Sequence, residues 1–250
     1  MISSLSIKEP PTGLNVPGEP EMIQVPGGSF LMGGIDEDKF VSAVELPRHP
    51  VDLTLPYAIG AKPITCREWS AAMGSLPDGN MVMHDENLPV VKVTFQEVMA
   101  YLREISATFG KVYRLPSEAE WEHACRAGSA TVFPHAGALG PADANFLYNE
   151  NGAEVGTGRL MPVGSFPANA FGIHDMLGNV CEWTADRWHP SYNDAPTDGS
   201  AWISGGKPKC RTIRGGAWDH LPRVLRASWR DWAPEQARWD NLGFRIALTL

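Results

Sequence analysis

The chain has 250 residues, 43% of them hydrophobic and 20% charged, a balance that supports a buried core and excludes wholesale disorder. Its net charge of −8 argues against a phosphate-backbone partner, which needs a basic face. No apolar run approaches the roughly 20 residues of a bilayer span, and Met1 to Val25 carry only Lys8 and no apolar stretch, so no signal peptide or anchor is read and a cytoplasmic protein is expected.

Residues 1–20 include Pro10, Pro11, Pro17 and Pro20 and read as an extended lead-in to one domain over 21–250. Met22 to Val25 and Ser29 to Met32 read as strands around a Pro-Gly-Gly turn, and Val51 to Leu55 alternates as a half-buried strand does. Three helix starts follow, each a Thr or Ser with a Glu three residues on: Thr65/Glu68, Thr94/Glu97 and Ser117/Glu120. In that pattern the hydroxyl caps a free amide and the carboxylate reaches back to the cap's own amide. The second helix buries Val98, Tyr101, Leu102, Ile105 and Phe109 and ends at Gly110. The first buries Trp69, Ala72 and Met73; the third buries Trp121, Ala124 and Cys125. Beyond Gly128 no long periodic segment appears. Seven of the nine tryptophans lie between Trp183 and Trp239, so that loop-rich half must pack on its own aromatic side chains. Ile213 to Gly216 and Phe244 to Leu248 read as closing strands, giving an α+β domain whose terminal strands pair.

Several stretches resemble the formylglycine-generating enzyme (sulfatase-modifying factor) family in order and spacing: Val25 to Gly33, Pro89 to Val93, Tyr113 to Glu122, Phe171 to Trp183, Arg214 to Trp218 and Asn241 to Arg245. The resemblance implies a C-type lectin-like fold with little regular secondary structure. It does not settle the chemistry, because the family holds copper-dependent oxidases that make formylglycine, iron-dependent sulfoxide synthases, a pyoverdine-maturation enzyme and retroelement-diversified binding proteins.

The formylglycine-generating members bind copper through two cysteines after their Arg-Gly-Gly-Ser motif. Here the matching segment, Ala217 to Arg230, has no cysteine, so that copper site is not expected to form. Cys66, Cys125, Cys181 and Cys210 are scattered and read as free thiols. Among His49, His84, His123, His135, His174, His189 and His220, no HxxxH or HExxH spacing supports iron; His123 reads as a structural imidazole. The resemblance implies calcium at Asp175, Gly178, Val180 and Glu182, with two side-chain oxygens and intervening carbonyls. The competing reading has Asp175 capping a turn and Glu182 pairing with an arginine such as Arg187.

The stretch from Trp218 to Trp239 crowds aromatic and charged groups together. Trp218, Arg226, Trp229, Arg230, Trp232 and Trp239 are the candidate ligand-binding residues, since Trp and Arg dominate binding hot spots; Trp218 and one other tryptophan are expected in the core. Retroelement-diversified binders vary this stretch from adenine-rich codons that do not reach tryptophan, which counts against that branch. The first functional reading is a binding or accessory domain offering this groove to a peptide, protein or small-molecule ligand. The alternative is an oxidative tailoring enzyme of the pyoverdine-maturation type, with His220, Asp219, Asp231 and Glu235 as acid–base candidates. Formylglycine formation comes third.

Overall fold

The computed structural model describes residues 18–77, 85–134 and 138–250. Most of the lead-in, with His84 and His135, lies outside them. Strands β1 (Met22–Val25), β4 (Tyr57–Gly60), β5 (Tyr113–Arg114) and β10 (Ala247–Thr249) form a sheet ordered β1-β4-β10-β5. β4 is buried along its whole length, as a central strand covered on both faces must be. The terminal strands thus share one sheet but do not pair: both are antiparallel to β4, which separates them. The first two strands do not pair with each other either. β2 (Gly28–Met32) turns away and pairs with β3 (His49–Leu53).

The three helices start where the capping pattern places them. α1 (Cys66–Met73), α2 (Phe95–Phe109) and α3 (Glu118–Arg126) begin at Thr65, Thr94 and Ser117, each with both reciprocal bonds of the box in place. α2 buries its apolar stripe and ends at Gly110 in the left-handed conformation. α3 differs from a surface helix: every one of its residues is buried, including Glu118, Glu120, Glu122 and Arg126. It ends at Ala127, itself left-handed, one residue before the expected glycine.

The second half is mostly loop around a sheet ordered β8-β7-β6-β9, from β6 (Cys181–Arg187), β7 (Cys210–Arg214), β8 (Arg230–Pro234) and β9 (Leu242–Gly243). Aromatic side chains fill the space between sheets and helices. Trp69 stacks on Tyr101 at 5.2 Å and both meet the edge or face of Phe244. Trp183 packs on Phe95 and donates its indole N–H to the carbonyl of Val93 (3.1 Å), so the buried ring meets its hydrogen-bond requirement. No helix among the described residues is long and apolar enough to cross a membrane.

Asp186, buried on β6, accepts the backbone amides of Glu118 and Trp202, both at 2.7 Å, and so ties α3 to the 199–203 loop. Burial, helped by the Glu118 carboxylate, pushes its carboxyl up to about 7, whereas an unfolded aspartate titrates near about 4. Between those values the folded state holds more protons than the unfolded one, so this group's contribution to stability declines as pH rises through that window. Asp186→Asn strands one amide without an acceptor and is expected to be less stable than the parent at about pH 4.5, by about 1–3 kcal/mol. The deficit should shrink by about pH 7.5, because the variant no longer buries a charge. Urea unfolding at the two pH values checks this; a deficit that stays constant would refute the assignment.

Candidate functional site

The site is built on the turn that leaves β7. Gly215 and Gly216 both have positive φ (94° and 70°), and a Cβ at Gly216 would lie 2.8 Å from Leu225 Cδ1. Only glycine meets both demands. The turn is laid against the 175–181 loop: the Gly178 amide donates to Gly215, the Trp218 amide to Asn179, and the Cys181 amide to Asn241. The Ala217–His220 segment is thereby fixed beside the start of β8.

Asp219, His220, Trp229 and Asp231 come together here. Asn241 Nδ2 donates to both oxygens of Asp219 (3.0 and 3.2 Å) and holds that carboxylate in place. His220 Nε2 lies 3.8 Å from Asp219 Oδ1, ion-pair distance rather than hydrogen-bond distance, and its ring meets Trp229 edge-on at 6.1 Å. Burial lowers the His220 pKa below its ordinary value, against the opposing pull of Asp219 and Asp231, so the ring is neutral at neutral pH. Its Nδ1 accepts the Ala217 amide (3.2 Å), which assigns the proton to Nε2. His220 is therefore set up as a donor. Asp231 is an exposed residue overall, yet partial desolvation raises its carboxyl above the usual value, with the Trp232 amide and His220 acting in the opposite direction. A raised carboxylate is the better proton acceptor of the cluster. The indole N–H of Trp218 beside it is buried with no acceptor among the described residues.

Other candidates have different places. Glu235 is engaged by Arg211 and by Gln96 and is not part of this cluster. Arg226 and Arg230 do not line a groove. Arg226 is buried and makes a two-pronged pair with Glu45 (2.7 Å each) plus a bond to Asp38 (2.5 Å). Arg230 makes the same kind of pair with Glu118 (2.7 and 2.8 Å). Between them Arg214, also buried, bonds Glu122 and three backbone carbonyls. A buried guanidinium needs such partners, and in this chain the partners come from α3 and from the 38–45 segment. Trp229 is half-buried against the core, Trp218 and Trp232 are half-buried, and Trp239 is exposed. The Lys207 ammonium covers the Trp232 ring at 3.0 Å.

The four residues considered for calcium divide. Both oxygens of Glu182 are engaged, by Arg245 Nε and Nη2 and by the Trp121 indole, all at 2.7 Å. The partner of Glu182 is Arg245, not Arg187, which reaches the carbonyl of Gly205. Arg245 Nη2 also bonds the carbonyls of His174 and Asp175, so a guanidinium supplies the positive charge that this loop needs. Gly178 and Val180 form the turn and its buried side. Asp175 Oδ2 accepts the Gly164 amide (2.6 Å), while Oδ1 is buried without a partner among the described residues. A calcium ion here would have to share Glu182 with Arg245, so this set does not fit one as it stands and no chemistry is routed through it. All four cysteines are buried and free. Burial pushes the thiols of Cys66 and Cys125 up to about 11 and about 12 and holds that of Cys181 well above its ordinary value, so these three carry no thiolate nucleophile at neutral pH.

The sulfatase-modifying factor enzyme 1-like domain family matches residues 11–250. The chain belongs to this family. Among solved structures, PvdO from Pseudomonas aeruginosa is similar with a TM-score of 0.83 and 37% identity, over 93% of this chain and 95% of that one. Hercynine oxygenase of Mycolicibacterium smegmatis is 30% identical over 99% of this chain and 68% of its own length. Formylglycine-generating enzyme of Mus musculus is 32% identical over 88% of this chain and 58% of its own. The fold expected from the sequence motifs is the fold of this family domain.

Hydropathy could not have separated the structural arginines from the functional residues, since Arg226, Arg230 and Asp219 are equally polar in sequence. Their burial separates them experimentally. Arg226→Ala leaves Glu45 and Asp38 without their guanidinium and is expected to cost about 3–5 kcal/mol; Trp239→Ala should stay within about 0.5 kcal/mol. Chemical denaturation of both variants checks the contrast, and equal losses would contradict it.

Proposed function

We propose that the chain is an oxidative tailoring enzyme of the pyoverdine-maturation type, acting at the Asp219–His220–Asp231 cluster. The observation that carries this reading is the likeness to PvdO, which at 37% identity runs through nearly the full length of both chains. The binding reading loses two of its six residues, because Arg226 and Arg230 are internal counter-ions. Its groove also borders β8, a sheet edge poorly suited to adding a peptide strand. There the Trp232 amide is taken by Asp231 (2.8 Å) and Pro234 has no N–H; both features close an edge.

The reaction class is a two-electron dehydrogenation of an electron-rich ring system. Two hydrogens leave the substrate, a new double bond forms, and dioxygen is the acceptor, reduced to hydrogen peroxide. Asp231 takes the proton whose removal makes the substrate electron-rich. Neutral His220, through Nε2–H, donates to the oxygen or nitrogen on which negative charge builds, the role of a fixed donor in any site that stabilises a developing anion. Trp218 and Trp229 supply flat faces for a conjugated ring.

The test is oxygen uptake and new near-ultraviolet absorption with a catechol-bearing peptide as probe. Asp231→Asn and His220→Gln are expected to lower kcat by about 10²–10⁴ without moving the melting temperature by more than a few degrees. Because Asp231 must be ionised and His220 neutral, kcat should fall on the acid side, through the raised value of the former and the depressed value of the latter. Parental turnover in both variants would overturn the assignment of the site.

A further inference from the structure

A concavity is lined by none of the Asp219–His220–Asp231 cluster. It is an open cleft of about 480 Å³ between the start of α2, the β5–α3 turn, β6 and β7, and the 199–203 loop. Its size is in the range of small-molecule sites, about 300–1,000 Å³. Phe95, Met99, Leu115, Ala185 and Ile203 give it an apolar lining. Ile203 is 61% exposed at the rim, an uncovered branched side chain beside a hollow it does not fill. Ser200 and Ala201, both small, leave the loop side open.

One polar group in this lining is held ready. Arg211 stacks its guanidinium on the Phe95 ring at 4.2 Å. Its Nε bonds Glu235 (2.8 Å) and its Nη1 bonds the carbonyl of Ala185 (2.9 Å), which fixes the plane of the group. Nη2 has no partner among the described residues. Arg114, the other guanidinium in the lining, differs: Glu120 grips both of its Nη groups at 2.6 and 2.7 Å and its Nε donates to Thr249, whereas the Glu235 carboxylate takes only the Nε of Arg211. The first turn of α2 and the N-cap of α3 also border the cleft, and their dipoles add partial positive charge there.

We propose that this cleft is a binding site for a planar aromatic carboxylate, with the ring between Ile203, Met99 and the Phe95–Arg211 stack and the carboxylate on Nη2 of Arg211. A fixed guanidinium loses little conformational entropy on binding, and a charge-assisted bond beside an apolar wall is stronger than one in open water. The site is independent of the reaction proposed above, because none of its lining residues belongs to that cluster.

The probe is 2-naphthoate, titrated into the full chain by calorimetry, with 2-naphthylmethylamine as its cationic counterpart. One saturable site for the acid is expected, with the amine at least about tenfold weaker. Ala201→Trp fills the hollow and should abolish binding. Ile203→Glu should weaken it about tenfold through like-charge repulsion, whereas Ile203→Lys should not weaken it. Ile203 is exposed, so both of its variants should keep the parent's melting temperature. Asp231→Asn and His220→Gln should bind the acid as the parent does, which separates this site from the reaction cluster. No saturable binding of the acid, equal affinity for acid and amine, or unaltered binding in Ala201→Trp would each overturn the proposal.

Discussion

Four arginines, Arg214, Arg226, Arg230 and Arg245, are buried to within 2% exposure, and the rest of the molecule depends on how they are neutralised. Each is matched by carboxylates from distant parts of the chain: Asp38 and Glu45 ahead of β3, Glu118 and Glu122 on α3, Glu182 on β6. A buried guanidinium without its partner is strongly unfavourable, so each pair acts as a fixed distance between segments that the sequence separates widely. With three α-helices and short strands among the described residues, these pairs and the aromatic core do the organising that long elements do elsewhere. They also explain why α3 can be buried on every face while carrying three glutamates and an arginine.

The same pairing decides where function can reside. A stretch with seven charged groups between Asp219 and Arg238 reads as a polar surface, but its buried arginines face inward and belong to the framework. What is left toward solvent is smaller and chemically sharper: Asp219 held by Asn241, a neutral His220 with its proton on Nε2, and Asp231 with a raised carboxyl. Arg214 at the end of β7 and Arg230 at the start of β8 anchor the two strands between which the Ala217–Trp229 stretch runs. The cleft behind Arg211 follows the same economy of parts, since the bonds that fix its guanidinium also join β7 to β6 and to Glu235.

Local signals in the sequence were sufficient wherever the interaction itself is local. The boxes at Thr65, Thr94 and Ser117 give the helix starts because cap and glutamate are three residues apart. The strand read over Ile213 to Gly216, by contrast, stops at Arg214, because Gly215 and Gly216 take positive φ with Leu225 close by. The ordered motifs from Val25 to Arg245 are enough for the family and hence the fold. They also place Asp219, His220 and Asp231 within one stretch.

Tertiary structure alone decided the partners. Whether Arg226 meets a ligand or Glu45 depends on a separation of 181 positions in the sequence, and no periodicity records that distance. The order β1-β4-β10, in which the ends of the chain flank β4 instead of pairing, likewise rests on long-range ladders. The choice of Arg245 over Arg187 for Glu182 is set by which groups are buried together. Sequence fixes the short-range bonds because their geometry is built into neighbouring residues; burial assigns the charges because an ion's cost depends on everything packed around it.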